Sequence, residues 1–260
     1  MTLELFMTTK KQTQTPMPTA IAGKLAATAL TLVVGGLLAA CGGGGGGSGP
    51  TIDPAQLKGR WVTAAGVAPA MTAVVVPDVN GAANAWLLAQ DASRLVKLVV
   101  RSDSSANGKT YALGQGNAIG QAVTGQVNAA LTASPKTIAF TGLNTTGTLT
   151  QSDALATPAV QAEVQGSWSA TLGGNAQTVQ WSLAATGGLT GSSTTGCTYV
   201  GSVAAIASTA AYSVSFNESC ADGSKTAFGG VGTLNAAKNG LTVVVASADE
   251  SRGAALFLAK

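Results

Sequence analysis

The chain has 260 residues, with 14 Lys+Arg against 11 Asp+Glu and no histidine. The lack of histidine removes Ser-His-Asp and Cys-His catalysis, His-ligated zinc or haem and His-based pH switching. Charged residues are only 10% and aromatics 5%, and the basic residues are scattered, so nothing argues for nucleic acid as a partner.

Residues 1–40 have the parts of an export signal. Lys10, Lys11 and Lys24 precede an uncharged apolar run from Leu25 to Ala40. That run is about 16 residues, short of the roughly 20 that span a bilayer as a helix. Met7 and Met17 are alternative starts. The small residues Ala39 and Ala40 stand directly before Cys41, where a peptidase pocket needs small side chains. An ordinary signal peptide with a chance cysteine and an uncleaved helix are the competing readings. The stretch Leu38-Ala39-Ala40-Cys41 resembles the lipobox of bacterial lipoproteins. The resemblance implies cleavage between Ala40 and Cys41 and a Cys41 that carries a diacylglyceryl thioether and a palmitate-type acyl chain on its amine. Two or more acyl chains anchor firmly to a membrane where one does so only marginally. Gly42 stands where an inner-membrane retention signal would carry Asp, so the family rule implies the outer membrane, with its periplasmic and outer faces left open. Without the leader, 11 basic residues face 10 acidic ones.

Residues 41–56 form a flexible tether, Gly/Ser-rich as far as Pro50. A first β module is expected over 57–151. Gly59-Arg60-Trp61 opens a strand-like run, and Met71 to Val76 ends at Pro77-Asp78, followed by Asn80-Gly81. Ala85–Gln90 and Leu95–Arg101 flank a hairpin turn at Asp91 to Arg94. Asn107-Gly108 reads as the next turn. Ile119 to Leu131 forms one long strand, or two with a bulge at Gly125; Lys136–Thr141 and Gly147–Gln151 pair around Asn144. Residues 152–165 read as a linker with a helical turn near Ala159 to Val164.

A second module is expected over 166–260. Gly166-Ser167-Trp168 follows Gly59-Arg60-Trp61 at a distance of 107 residues, and strand-like runs follow at Gln177–Ala185, Gly196–Ala205, Ala211–Glu218, Ala227–Ala236, Leu241–Ser247 and Ala254–Ala259. The paired Gly-x-Trp speaks for two copies of one module; a single larger β fold is the competitor. Short strands with turns every 8–12 residues predict an all-β fold, with small antiparallel barrels and sandwiches both open. Cys197 and Cys220 are the only cysteines besides Cys41. In an oxidising envelope they read as a disulfide across the open end of one hairpin, in the register whose paired numbers sum to 417.

No catalytic constellation emerges, so an enzyme is not expected, and neither is a cofactor or a metal. Asp249-Glu250 and Asp222-Gly223 sit in turns, and Gly114 to Gly120 lacks the helix that a dinucleotide loop needs. Trp61, Trp86, Trp168 and Trp181 are either core residues or the lining of a ligand cavity. Gly-x-Trp on a first strand resembles the lipocalin and calycin pattern, which implies an eight-stranded barrel with the Trp across its closed end, under an Arg; Arg252 is the candidate for that Arg. A tether followed by two β modules resembles neisserial surface lipoproteins that bind host factors. Gly196 to Lys260 resembles the C-terminal module of uncharacterised proteobacterial lipoproteins. The expectation is an outer-membrane lipoprotein acting as a non-enzymatic binding or structural protein. Its partner would be a protein or, as an alternative in the calycin manner, a small apolar ligand.

Overall fold

The computed structural model describes Thr51–Lys260, apart from residues 65, 67, 79, 114–118, 143–146, 154–155 and 173–176; the leader, Cys41, the glycine run and Asn144 lie outside the described residues. The fold is two closed antiparallel barrels of eight strands each. The first holds β1 (Gly59–Thr63), β2 (Met71–Pro77), β3 (Ala83–Ala89), β4 (Arg94–Val100), β5 (Ser105–Ala112), β6 (Gln121–Ala130), β7 (Thr137–Thr141) and β8 (Gly147–Ser152). A single helical turn, α1 (Gln161–Val164), leads into β9 (Gly166–Leu172), β10 (Gln177–Leu183), β11 (Gly188–Ser193), β12 (Thr198–Ala205), β13 (Ala211–Ser219), β14 (Lys225–Leu234), β15 (Gly240–Ser247) and β16 (Gly253–Ala259). Of the two expected architectures, the barrel is the one found.

Each strand pairs with its neighbours in sequence, and the first with the eighth, so both barrels are up-and-down meanders. Each strand of the second barrel begins 103 to 107 residues after its counterpart in the first; Met71 answers to Gln177 and Gly147 to Gly253. The duplication extends to the ends. A 3-10 turn at Pro54–Leu57 precedes β1 as α1 precedes β9. Trp61 donates its indole N–H to the Leu57 carbonyl at 2.7 Å, and Trp168 donates to Val164 at 2.8 Å. Leu57 and Val164 are both buried and close one end of their barrels. Gly59 and Gly166 have φ of 134° and 127°, a conformation that lets the chain turn sharply from plug to strand.

Alternation fills the interiors. On β3, Ala83, Ala85, Leu87 and Ala89 point inward; on β13, Tyr212, Val214 and Phe216 do. Large and small side chains are mixed, as the inside of a small barrel requires. Asn107-Gly108 is not a turn. Both residues lie within β5, and the chain reverses at Arg101–Ser105 instead, where Asp103 accepts from Ser105 N–H and Ser104 has φ 65°. Gly108 is paired with Leu98, and a methyl group there would overlap the Lys97 carbonyl, so close strand approach explains the glycine. β6 is one strand, with Gly125 paired to Ala106 rather than bulged. The sequence reading passed over β11, whose Gly-Leu-Thr-Gly-Ser-Ser has little strand character of its own. Its partners on both sides hold it in place.

Cys197 and Cys220 form a disulfide, and β12 pairs β13 from Thr198↔Ser219 to Ala205↔Tyr212, every pair summing to 417. The barrels close differently. Among the described residues, β1 meets β8 in four residue pairs, Arg60↔Ser152 to Thr63↔Leu149, whereas β9 meets β16 in one, Ala259↔Ser169.

Candidate functional site

Outward side chains of a barrel ordinarily face water. Here the outer face of β2–β5 is covered by the outer face of β13–β16. Val76, Trp86, Leu95 and Tyr111 on one side are buried with Val231, Val244 and Ala246 on the other. Tyr111 locks the contact. Its ring lies against Gly253 and Gly120, where added methyl groups would overlap it, and its hydroxyl donates to the Glu250 carbonyl at 3.2 Å. Burial, with Glu250 and Asp249 close by, pushes the Tyr111 phenol up, so it stays a neutral donor. Lys97 pairs with Glu250 at 2.5 Å, and its ammonium stands 5.5 Å from the centre of the Trp86 ring. Ile119 forms a β-bridge with Arg252, and Gly120 N–H donates to the Ser251 carbonyl at 2.8 Å.

Two grooves flank Trp86 along this seam. One, of about 530 Å³, runs past Asn84 and Lys97 on the first barrel and Ile206, Phe228 and Gly229 on the second. The other, of about 460 Å³, lies between β1–β3 and β14–β16. Its walls are Val74, Trp86 and Leu88 facing Val231, Val244 and Phe257. Arg60 lines it too, with Nη1 donating to Ser152 Oγ at 3.1 Å. Among the described residues Arg60 makes no ion pair, and Phe257 remains 49% exposed.

The four tryptophans divide. Trp61, Trp168 and Trp181 are core, at most 2% exposed, while Trp86 points outward and is buried by the other barrel. Trp168 and Trp181 are directly paired across β9 and β10. Trp181 meets Phe216 edge-on at 5.3 Å, and its Nε1 has no hydrogen-bond partner. Arg252 is not the cation over the closed end. It bonds to Thr226 and stands 5.4 Å over Phe228 at the opposite end of the barrel. β16 begins at Gly253 and runs away from Arg252, so the residue that reaches Trp168 is Lys260, 4.7 Å from its ring and donating to the Glu163 carbonyl at 3.0 Å.

The carboxylates of Asp91, Asp103, Asp222 and Asp249 are engaged in hairpin turns. Each accepts from the backbone N–H of the serine two residues on, and the residue between has positive φ. Hydrogen bonds from Ser247, then Ser251, hold Asp249 down at about 2. Side-chain hydrogen bonds from Ser93, Ser105 and Ser224 likewise lower Asp91, Asp103 and Asp222. Cys197, Glu218 and Cys220 bring potential metal-ligand atoms within 4.8 Å of one another. The disulfide uses both thiols, which leaves Glu218 as a lone ligand.

The sequence reading named the tryptophans and the cysteine pair, and it missed the seam. A signal was present. Leu95 to Val100 and Leu241 to Ala246 are nearly unbroken apolar runs, as expected for strands covered on both faces. Arg60 stood inside the Gly-x-Trp motif and was read only as its variable middle residue. Comparison of the chain with known protein families, curated proteins and solved structures gave no match.

Proposed function

We propose that this chain is a lipid-anchored cell-envelope protein, held to the outer membrane through Cys41, whose two-barrel body binds a partner on its outer surface without catalysing a reaction. The observation that carries the reading is that apolar side chains are buried together inside both barrels. Their interiors hold contiguous clusters of buried apolar side chains, and Leu57 and Val164 stop one end of each. Binding surface is therefore on the outside, in loops, strand faces and the seam. Nearly balanced charge and hydroxyl-rich strands fit a body recognised by shape and hydrogen bonding more than by net charge. The anchor rests on the resemblance of Leu38–Cys41 to a lipobox, and the protein partner on architecture.

The test has two parts. Cells fed an alkyne palmitate analogue should label the wild-type chain and leave Cys41→Ser unlabelled and released from membranes; equal labelling of both would refute the anchor. Photo-crosslinkers placed at exposed strand positions such as Val200 should then trap a discrete envelope or host protein. Turnover of a substrate, abolished by a single side-chain change, would refute the non-enzymatic reading.

The calycin-like alternative calls for a cavity inside a barrel; what a small apolar ligand finds here instead is the groove beside Trp86, outside the barrels.

A further inference from the structure

We infer that the groove between β1–β3 and β14–β16 is a binding site for a carboxylate-headed amphiphile, with its head on Arg60 and its alkyl chain laid along Trp86. The groove binds whether or not Cys41 is acylated, so this inference and the proposed anchor fail separately.

Place and size fit a small-molecule site. Such sites favour interfaces between packed bodies and occupy about 300–1,000 Å³, and this seam groove has about 460 Å³. Its floor is apolar, with Val74, Trp86, Val231 and Val244 contributed by both barrels. Phe257 at the lip keeps half its surface in water, an exposure that a bound chain would relieve.

Charge selects the head group. Among the described residues Arg60 is the only charged side chain lining the groove; the other polar groups are neutral, namely Thr72, Gln90, Thr233 and Thr242. Arg60 is tied to Ser152 by one nitrogen, which orients the guanidinium without neutralising it. A planar, weakly hydrated guanidinium beside apolar surface pairs well with a planar carboxylate, which two parallel N–H donors can hold. The groove on the other side of Trp86 gives the contrast. There the cation is Lys97, already matched by Glu250, so no anion is called for. One groove has an unmatched cation above an apolar floor, and the other does not.

Tryptophan fluorescence tests this directly, because Trp86 alone of the four lies at the seam. Bromine quenches an indole on contact. The full-length chain is titrated with ω-bromoundecanoate and, separately, with the neutral ω-bromoundecanol. Saturable quenching by the acid, at least about tenfold tighter than by the alcohol, is expected, in line with one charge-assisted bidentate contact. Arg60→Gln should remove that preference, and Trp86→Phe should remove the quenching. Should Arg60→Gln unfold, Phe257→Ser at the exposed lip must still weaken the acid. Equal binding of acid and alcohol, no saturable quenching, or quenching that survives Trp86→Phe would each overturn the inference.

Discussion

The two barrels share one plan and are secured in different ways. Each has eight strands in the same order, a single helical turn as a stopper, and a tryptophan that donates back to the stopper's carbonyl. The first barrel closes its meander with four residue pairs between β1 and β8. Among the described residues the second closes with one, yet it carries the disulfide and a more elaborate stopper. Gln161 both donates to the Val203 carbonyl and accepts from Ala205 N–H, Tyr212 donates to Val160, and Lys260 lies over Trp168. A barrel can thus be held by its backbone ladder or by side chains and a covalent link around a weaker ladder. The element both barrels share is the tryptophan that donates to its stopper.

Breaking that shared element should have the largest effect. Trp61→Ala and Trp168→Ala each remove a fully buried indole and its hydrogen bond, and each should cost about 3–5 kcal/mol in denaturant unfolding. If only one of them is severe, the two stoppers are not equivalent. Next comes the covalent link. Cys197 and Cys220 are 23 residues apart, and replacing both with Ala should destabilise the second barrel by about 3 kcal/mol. The same change should speed amide exchange at the β9–β16 seam while leaving β1–β8 as it was. Docking is tested by Gly253→Ala, which drives a methyl into the Tyr111 ring. A loss of about 1–3 kcal/mol is expected, with unfolding split into two transitions as the barrels separate. A single unshifted transition would show that Tyr111 does not hold the barrels together.

The smallest effect is that of pH. There is no histidine, and the depressed aspartates all lie in exposed turns. A carboxyl lowered on folding contributes stability that is present above its unfolded pKa and lost as pH falls through its folded one. For Asp249 the loss should therefore run from about 4, the unfolded value, down to about 2. The thermal midpoint should stay flat from about pH 5 to 8. A step near pH 6.5 would contradict this account.

What the sequence made legible was local. The turns at Asp91, Asp222 and Asp249 and the β12–β13 register followed from turn chemistry and from a cysteine pair that admits few geometries, whereas the turn at Asp103 was not read. Asn107-Gly108 misled because Asn-Gly is a strong hairpin signal, whereas here the glycine answers to strand packing against Leu98. β11 was invisible because its glycines and serines form a strand only between two ready partners. The seam depends on which outer faces meet, a property of the whole fold, and its trace in the sequence was confined to apolar runs such as Leu95–Val100 and Leu241–Ala246.

The most direct test of the central claim, an acylated anchor bearing barrels that bind on the outside, is native mass spectrometry of the chain purified from its own envelope. The account predicts a polypeptide that begins at an acylated Cys41 and is lighter by two hydrogens for the Cys197–Cys220 bridge. Any small molecule it retains should be lost with Arg60→Gln. A chain that starts elsewhere without lipid, or a small molecule kept despite Arg60→Gln, would contradict it.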